Sequence, residues 1–300
     1  MKNVLITGGT GLIGRHLSNR LQDSGYNVSL LSRRPVHNAV FSVYKWDPEA
    51  GTIDPEAISN ADFIIHLAGA GLGDSRWSEK RKKEILDSRI KSAGLIFDKL
   101  KESGKRPEAF ISASGTGYYG AITSERILAE TDDPGTDFTG EVCRRWEEAA
   151  GNMESLGIRT VILRTGIVLS GNGGALKRMA LPAKFGIGSP LGGGRQYVPW
   201  IHIDDICGIY IKAIDDRSMT GAYNAAAPEH VNNGQFMRTV SEVMGRPFFF
   251  PAIPSFFFRI LYGEMSSILL KGTRVSSEKI ISSGYLFRYP ELRSALYSLL

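Results

Sequence analysis

Residues 2–15 read KNVLITGGTGLIGR, a short apolar run that ends abruptly in spaced glycines. Val4 to Ile6 predict a buried parallel strand, the glycines predict the turn after it, and Leu12 to Leu21 predict a helix. The inward face of that helix carries Leu12, Ile13, Leu17 and Leu21. A strand, a glycine turn and a helix in this order are the local structure that a dinucleotide site requires.

The three spaced glycines have separate roles in such a site. We expect Gly8 to let the chain turn, Gly11 to let the backbone approach a pyrophosphate, and Gly14 to let the helix pack close to the strand. The N–H groups at the helix start, around Leu12 and Ile13, then face the phosphates. An ordinary tight turn without a ligand is the alternative.

The end of the second predicted strand indicates which dinucleotide is bound. Enzymes that select NAD place a carboxylate there to hold the ribose 2′-hydroxyl, whereas residues 30–34 read LLSRR. Ser32, Arg33 and Arg34 predict a site for a 2′-phosphate, because guanidinium groups bind phosphate through paired, charge-assisted hydrogen bonds. We therefore predict NADP(H) as the cofactor, and two solvated loop arginines are the alternative.

The composition excludes several classes of protein. The chain has 300 residues, with 36 Lys plus Arg against 31 Asp plus Glu, and its basic residues are scattered. Nucleic acid is therefore not expected as a partner, since its binding needs a clustered basic patch. Cys143 and Cys207 are too few for a disulfide framework and lack metal-ligand spacing, so we expect a cytoplasmic protein without a metal. No apolar run approaches the ~18 residues of a membrane span, so no membrane partner is expected either.

Strand and helix patterns alternate along the chain, with further strands predicted over Val28–Ser32, Phe63–Leu67, Ala109–Ser114 and Thr160–Arg164. This alternation predicts an α/β fold, a doubly wound parallel sheet of the Rossmann type with a smaller C-terminal substrate lobe. We predict that residues 1–170 bind the nucleotide and that residues 197–228 return to this domain. Residues 171–250 then supply the substrate lobe, and residues 251–300 form a C-terminal helical appendage.

A helix is predicted over Trp77 to Lys101, with an inward apolar stripe of Ile85, Ala93, Ile96 and Leu100, and one charged residue lies on that stripe. This residue is Arg89, and a buried guanidinium needs an anionic partner because its unpaired burial is very costly. An internal carboxylate such as Glu84 is one candidate partner, and a role near the cofactor is the other. Both Arg89 and Glu84 are therefore candidates for the cofactor site.

Four segments together resemble the extended short-chain dehydrogenase/reductases. They read TGGTGLIG at residues 7–14, HLAG at 66–69, SASGTGYYG at 112–120 and VPWIHIDD at 198–205. More narrowly, the chain resembles an epimerase-like subgroup that carries a C-terminal domain of unknown function, through motifs such as GEM at 263–265 and YPEL at 289–292. The resemblance implies that Leu67, Ala68, Gly69 and Val168 lie by the cofactor.

The usual catalytic pair of that family is absent from this sequence. The family chemistry needs a tyrosine for proton transfer and a lysine four residues later on the same helical face. None of the tyrosines is followed by a lysine at that spacing, and Phe138 and Val142 occupy the expected positions. The sequence thus predicts the cofactor better than it predicts the reaction.

Three interpretations of the missing tyrosine and lysine remain open. In the first, a hydride is transferred and another residue of the cavity moves the proton: Tyr118 or Tyr119 beside Ser114, or His202, whose imidazole titrates near neutrality. In the second, the chain is a non-catalytic NADPH-binding sensor or partner-binding module. A scaffold with a vestigial site is the third.

The substrate is predicted only by class. Ligands bind beyond the carboxyl ends of the strands in doubly wound sheets. Arg195, which follows a glycine-rich stretch, is able to bind an anionic group such as a sugar diphosphate, and a solvated surface arginine is the alternative. A nucleotide sugar and a small carbonyl compound are both candidates. The apolar tail makes a homodimer a further expectation.

Overall fold

A central sheet organises the computed structural model, which describes residues 1–34 and 40–300. Its strand order is β11-β8-β6-β5-β1-β2-β3-β4, where all neighbours pair in parallel except β3 and β4. The strands are β1 Asn3–Thr7, β2 Asn27–Ser32, β3 Ser42–Asp47, β4 Thr52–Ile53, β5 Phe63–His66, β6 Ala109–Gly115, β8 Arg159–Thr165 and β11 Gly221–Ala225. This order confirms the predicted doubly wound fold.

Two small parallel pairs of strands lie outside the central sheet. They are β7 Ile127–Leu128 with β12 Arg274–Val275, and β9 Ile167–Leu169 with β10 Trp200–His202. The pairing of β7 with β12 joins the C-terminal segment to the part of the chain between β6 and α4. The segment predicted as a helical appendage therefore contains a strand as well as helices.

The helices of the described chain cover both faces of the sheet. They are α1 Leu12–Asp23, α2 Pro55–Ser59, α3 Glu79–Ser103, α4 Phe138–Gly151, α5 Gly174–Lys184, α6 Ile203–Asp215, α7 Asn233–Val243, α8 Ser255–Tyr262, α9 Ser267–Leu270, α10 Glu278–Ser282 and α11 Leu292–Tyr297. Helices α1 and α6 bury Leu17, Leu21 and Ile206 against one face. Helices α2, α3 and α4 pack on the other face, with Ile58, Ile96 and Ala150 among their buried residues. Both layers exclude water from the parallel strands.

Helix α3, predicted from its apolar spacing over Trp77 to Lys101, covers Glu79–Ser103. Ser78 accepts a hydrogen bond from the Arg81 backbone N–H at its start, and Gly104 ends it in the left-handed region with φ of 70°. Its inward residues Ile85, Ala93, Ile96 and Leu100 are fully buried. The helix therefore lies as the inward stripe predicts.

Residues near the end of the chain are part of the core. Ile280 packs in the main cluster with the sheet and α6, Met265 packs with Trp77 and Val142, and Leu296 packs with α5 and α7. Each of these side chains is at most 5% exposed. The C-terminal segment thus closes several parts of the fold rather than resting on its surface.

Candidate functional site at the carboxyl edge of the sheet

The glycine turn after β1 has the tight geometry that a dinucleotide site needs. Gly8 has φ of 69°, and its Cα lies so close to the β5 side of the sheet that a Cβ would stand 2.9 Å from the carbonyl carbon of Leu67. A Cβ on Gly14 would stand 2.4 Å from the carbonyl oxygen of Gly8, so only glycine lets α1 approach β1 this closely. The backbone of Gly11, which caps α1, is thereby held at the end of the strand.

The register of the sheet brings the two arginines beside this turn. Thr7 pairs with Leu31 across β1 and β2, so Gly8 and Ser32 are the next residues on neighbouring strands. Arg33 and Arg34 are exposed there, and the Ser32 hydroxyl donates a 2.7 Å hydrogen bond to the Arg34 carbonyl oxygen. Two exposed arginines therefore follow the strand that neighbours the glycine turn.

The loop after β5 is fixed to the glycine turn by Thr7. The Thr7 hydroxyl oxygen accepts hydrogen bonds from the backbone N–H groups of Leu67 and Ala68 at 3.1 and 3.0 Å, and lies 2.9 Å from Nδ1 of His66. Burial lowers the pKa of His66 to about 4, so its ring is neutral. The loop carrying Leu67, Ala68 and Gly69 is thus held rigidly at the edge of the sheet.

Arg89 is buried directly behind this loop without a carboxylate partner. Its Nη1 donates to the carbonyl oxygens of Ala70 and Ile85 at 3.0 and 2.9 Å, and its guanidinium carbon lies 4.7 Å from the centre of the Trp146 ring. Its Nε is buried and lacks a partner among the described residues. Burial lowers the pKa of Arg89 to about 10, which leaves it charged at neutral pH.

The pairing of Arg89 with Glu84 that the sequence suggested is wrong. Glu84 forms its ion pair with Arg81 at 2.8 Å and is largely exposed. Residues five positions apart on a helix point in different directions, whereas a spacing of three or four brings side chains together. Glu84 accordingly meets Arg81, and Arg89 faces the loop and α4.

Strands β6, β8 and β11 carry a buried polar row on the side of the sheet that α4 covers. Ser114 pairs with Arg164, and Arg164 pairs with Asn224, in register. Ser114 donates a 2.7 Å hydrogen bond to Oε1 of Glu147 on α4, and Arg164 binds both oxygens of that carboxylate at 2.9 Å. The Ser114 hydroxyl is therefore part of an ion-pair network.

The two tyrosines after β6 pack against the same arginine. The Arg164 guanidinium carbon lies 3.3 Å from the centre of the Tyr118 ring, and Tyr119 donates a 2.7 Å hydrogen bond to Asn224. Burial raises the pKa of Tyr119 to about 12 and also raises that of Tyr118. Tyr119 is 2% exposed, whereas Tyr118 is half-buried and thus the more accessible phenol.

His202 stabilises the start of a helix in this structure. Its Nδ1 accepts a 3.0 Å hydrogen bond from the Asp204 backbone N–H, and its Nε2 lies 3.1 Å from the Ser298 hydroxyl. The ring stacks on Tyr289 with centroids 3.9 Å apart, and the residue is 2% exposed. Both ring nitrogens are engaged in contacts that hold α6 and α11 together.

An apolar cluster fills the space around the missing catalytic pair. Val142 is buried against Trp77 and Met265, and the Phe138 ring meets the Trp77 ring edge-on at 4.8 Å. Cys143, the next residue on α4, is buried among Gly115 and Gly117. Burial raises the pKa of its thiol to about 11, so it stays protonated.

Val168 and Leu12 meet the glycine-rich segment that follows β9. Val168 pairs with Ile201 across β9 and β10, and a Cβ on Gly174 would stand 2.8 Å from a methyl group of Leu12. These contacts bring the start of α5 over the N-terminus of α1. The predicted cofactor residues from Gly8 to Val168 therefore border one edge of the sheet, as the ends of parallel strands do.

Glu147, Asn224 and Trp146 contact the candidate residues Ser114, Tyr119 and Arg89, and they were not predicted from the sequence. A charged Arg164 on the same strand face as the buried Ile162 was a signal, because alternation along a strand puts both side chains on one face. Among the described residues, no group of His, Cys, Asp and Glu side chains has the arrangement of a metal site. No described helix is long and apolar enough to cross a membrane.

Residues 4–226 match the NAD dependent epimerase/dehydratase family. The chain belongs to this family. Residues 253–299 match a second family, described as a domain of unknown function, DUF1731. The match of both parts confirms the resemblance to the epimerase-like subgroup.

Relatives of this family resemble the chain over nearly its whole length. The epimerase family protein YfhF of Bacillus subtilis (strain 168) is 35% identical over 300 residues, which cover 99% of this chain and 98% of that protein. A crystal structure of the human epimerase family protein SDR39U1 (isoform 2) with NADPH is 32% identical, with a TM-score of 0.87 over 99% of this chain and 98% of that one.

A solved structure of lower sequence identity shares the fold alone. The UDP-glucuronic acid 4-epimerase of Bacillus cereus, crystallised with UDP-glucuronic acid and NAD, is 19% identical and has a TM-score of 0.80, covering 99% of this chain and 98% of that one. Sugar epimerases and this chain thus use one architecture.

Proposed function

We propose that this family member is an NADP(H)-dependent oxidoreductase or epimerase with an atypical active site. The observation that carries the proposal is the register of β1 with β2, in which the glycine turn stands beside Ser32, Arg33 and Arg34 and no carboxylate. A helix N-terminus attracts the pyrophosphate, and the two guanidinium groups attract the 2′-phosphate. The human relative crystallised with NADPH supports this choice of cofactor.

Further residues border the same cofactor site in this proposal. Gly8, Gly11, Leu12, Ile13 and Gly14 meet the pyrophosphate, and the rigid loop of Leu67, Ala68 and Gly69 forms one wall, with Val168 opposite. Arg89 adds a cation behind that wall. The Arg89 guanidinium donates hydrogen bonds to backbone carbonyl oxygens and not to a carboxylate. An anionic oxygen of the cofactor would therefore balance its charge. Glu84 has no place in the proposed site.

Tyr118 is the proposed proton donor. The bound cofactor supplies a hydride to a carbonyl carbon, and the oxygen that becomes negative then needs a proton. The Tyr118 phenol is protonated at neutral pH, and although burial raises its pKa, the Arg164 guanidinium carbon 3.3 Å from the ring centre favours the phenolate that forms when the proton is donated. Ser114 and His202 act as structural residues in this proposal, since their polar atoms are already engaged.

The proposed substrate carries a carbonyl or a secondary hydroxyl group. Phe138 and Val142 are apolar at the positions of the family's catalytic pair, and such surroundings suit a small carbonyl compound. A nucleotide sugar is the second candidate, since the B. cereus epimerase that shares this fold was crystallised with one.

A non-catalytic NADPH-binding module is the second candidate function. Two observations favour it. The Ser114 hydroxyl already donates a hydrogen bond to Glu147, and Phe138 and Val142 have apolar side chains that pack in a cluster. Among these residues, none has a free group for proton transfer.

Two measurements decide between these functions. Titration with NADPH and NADH, followed by tryptophan fluorescence, tests the cofactor, and we expect NADPH to bind more tightly. A panel of carbonyl compounds and nucleotide sugars, followed by NADPH absorbance or product analysis, tests the reaction. Turnover that Tyr118→Phe abolishes and that the exposed control Tyr297→Phe retains supports the enzyme. Tight NADPH binding without turnover on any compound supports the module, and absence of binding to either nucleotide contradicts both.

A further inference from the structure

Two segments without any acidic residue lie side by side on the surface. Asp and Glu are absent from residues 155–203 and from residues 243–263. The segments are joined by backbone hydrogen bonds, from the Gly192 N–H to the Ile253 carbonyl oxygen at 2.8 Å and from the Ile253 N–H to the Pro190 carbonyl oxygen at 2.9 Å. The charged side chains that these two segments contribute are therefore all basic, while the exposed carboxylates of Asp74 and Glu264 lie beside them.

Large apolar side chains of both segments point into solvent. Phe185 is 71% exposed, Phe249 is 72% exposed and Ile260 is 71% exposed. The set, which we call the phenylalanine face, consists of Leu181, Phe185, Ile187, Phe249, Phe250, Phe256, Phe257, Ile260 and Leu261. A contiguous apolar surface of this kind marks a site of interaction, whereas scattered exposed side chains do not.

Helix α8 turns its apolar side outward. Phe256 and Ile260, and likewise Phe257 and Leu261, are four residues apart, so these side chains share one side of the helix, and all four are more than half exposed. Tyr262 instead packs against the cluster that contains Trp77, Val142 and Met265. A surface helix of a globular protein normally presents polar residues to water, so this helix has the opposite orientation.

Exposed cations accompany the phenylalanine face. On α5, Lys177, Leu181 and Lys184 follow each other at helical spacing, and Arg246 and Arg259 are exposed on the second segment. Lysine is depleted in protein–protein interfaces, and two copies of a face whose own charged side chains are all basic repel each other. Phenylalanine and leucine beside lysine and arginine are instead typical of segments that lie on anionic lipid surfaces.

We propose that the phenylalanine face binds the surface of a bilayer that contains anionic phospholipids. The aromatic and aliphatic side chains enter the boundary between headgroups and acyl chains, and the four cations contact lipid phosphates and carboxylates. This mode of binding needs no spanning helix. The proposal therefore contradicts the expectation, based on the absence of a long apolar run, that the chain has no membrane partner.

Sedimentation with vesicles tests the proposal on the full chain. We expect the protein to sediment with phosphatidylcholine vesicles that contain phosphatidylserine, and not with phosphatidylcholine alone. The double variants Phe257→Ser with Ile260→Ser and Lys184→Glu with Arg259→Glu should each lower the fraction bound by at least about tenfold. Leu286→Ser and Lys101→Glu change an exposed apolar residue and an exposed cation outside the face, and they should bind as the unchanged protein does.

Three outcomes overturn the proposal. The first is the absence of binding to anionic vesicles, and the second is equal binding to both kinds of vesicle. The third is a dimer in light scattering that Phe257→Ser with Ile260→Ser dissociates, without binding to vesicles, which assigns the face to a second copy. Circular dichroism and NADPH affinity report whether each variant is folded, and the charge variant tests the proposal by itself if the apolar variant is unstable.

Discussion

Ser114 on β6 donates a hydrogen bond to Glu147 on α4 across 2.7 Å, and that carboxylate also holds Arg164 on β8. The Glu147 and Arg164 side chains are 11% and 4% exposed. A serine at the end of a strand in this fold is an obvious candidate for substrate binding. Its partner in this structure makes it part of the scaffold that joins α4 to the sheet.

Glu147→Gln should destabilise the protein strongly, because it leaves the buried Arg164 without a counter-charge. Loss of one partner of a buried ion pair costs about 3–5 kcal/mol, whereas Ser114→Ala removes one hydrogen bond and costs about 1–2 kcal/mol. Urea unfolding measures both free energies. Equal, small losses for the two variants would show that the pair is hydrated, contrary to the burial described above.

Arg33→Ala should weaken NADPH binding by more than about tenfold and leave NADH binding nearly unchanged, because only NADPH carries the 2′-phosphate. Fluorescence titration gives both dissociation constants. Arg217→Ala, at an exposed arginine elsewhere on the surface, is the control for a general loss of positive charge. Equal losses for NADPH and NADH would contradict the assignment of Arg33.

Gly14→Ala should disrupt the glycine turn, since its Cβ would stand 2.4 Å from the Gly8 carbonyl oxygen and 2.6 Å from the Gly9 Cα. We expect loss of NADPH binding together with lower stability. Gly94→Ala, inside α3 with no atom near the added Cβ, should stabilise the protein by up to about 1 kcal/mol through helix propensity. The two substitutions are chemically identical, so a similar effect of both on NADPH affinity would refute the role of the turn.

His66 should make stability depend on pH below neutrality. Its pKa is about 4 in the folded protein against 6.5 unfolded, so the unfolded chain binds the extra proton first, and stability falls as the pH drops from about 6.5 towards 4. The expected loss at pH 5 relative to pH 7.5 is about 2 kcal/mol from this residue. Urea unfolding of the protein and of His66→Asn at both pH values isolates the effect, and an unchanged pH difference in the variant contradicts it.

Val142→Lys should fail to restore the family's catalytic lysine. The side chain is 1% exposed and packs against Trp77 and Met265, so an ammonium group there costs about 3 kcal/mol or more, or loses its proton. Phe138→Tyr, at a half-buried position, should cost less than about 1 kcal/mol. Thermal unfolding compares the two, and a stable Val142→Lys variant would show that the apolar cluster is open to water.

The nucleotide-binding half of the fold was predictable because its signals are local. Strand β1, the turn at Gly8 and helix α1 follow from apolar spacing and glycine positions within about twenty residues. The same holds for α3, whose stripe from Ile85 to Leu100 is buried as predicted.

Other features depend on contacts between distant residues. The partner of Ser114 is Glu147, which also holds Arg164, and no spacing rule joins residues on two strands and a helix. The strand Arg274–Val275 is too short to be recognised, because it exists only through pairing with Ile127–Leu128. The inward orientation of Arg89 was predicted correctly, but Glu84, one of the two partners considered for it, lies five residues away and points in another direction.

The core of this protein contains residues that are synthesised last, so the fold is completed only at the end of translation. Ile280, Leu296 and Met265 complete separate clusters of buried residues. While these residues are still inside the ribosome, the sheet and α4 expose apolar surface to water. We therefore expect the nascent chain to depend on chaperones until residue 296 has emerged, even though its glycine turn lies within the first fifteen residues.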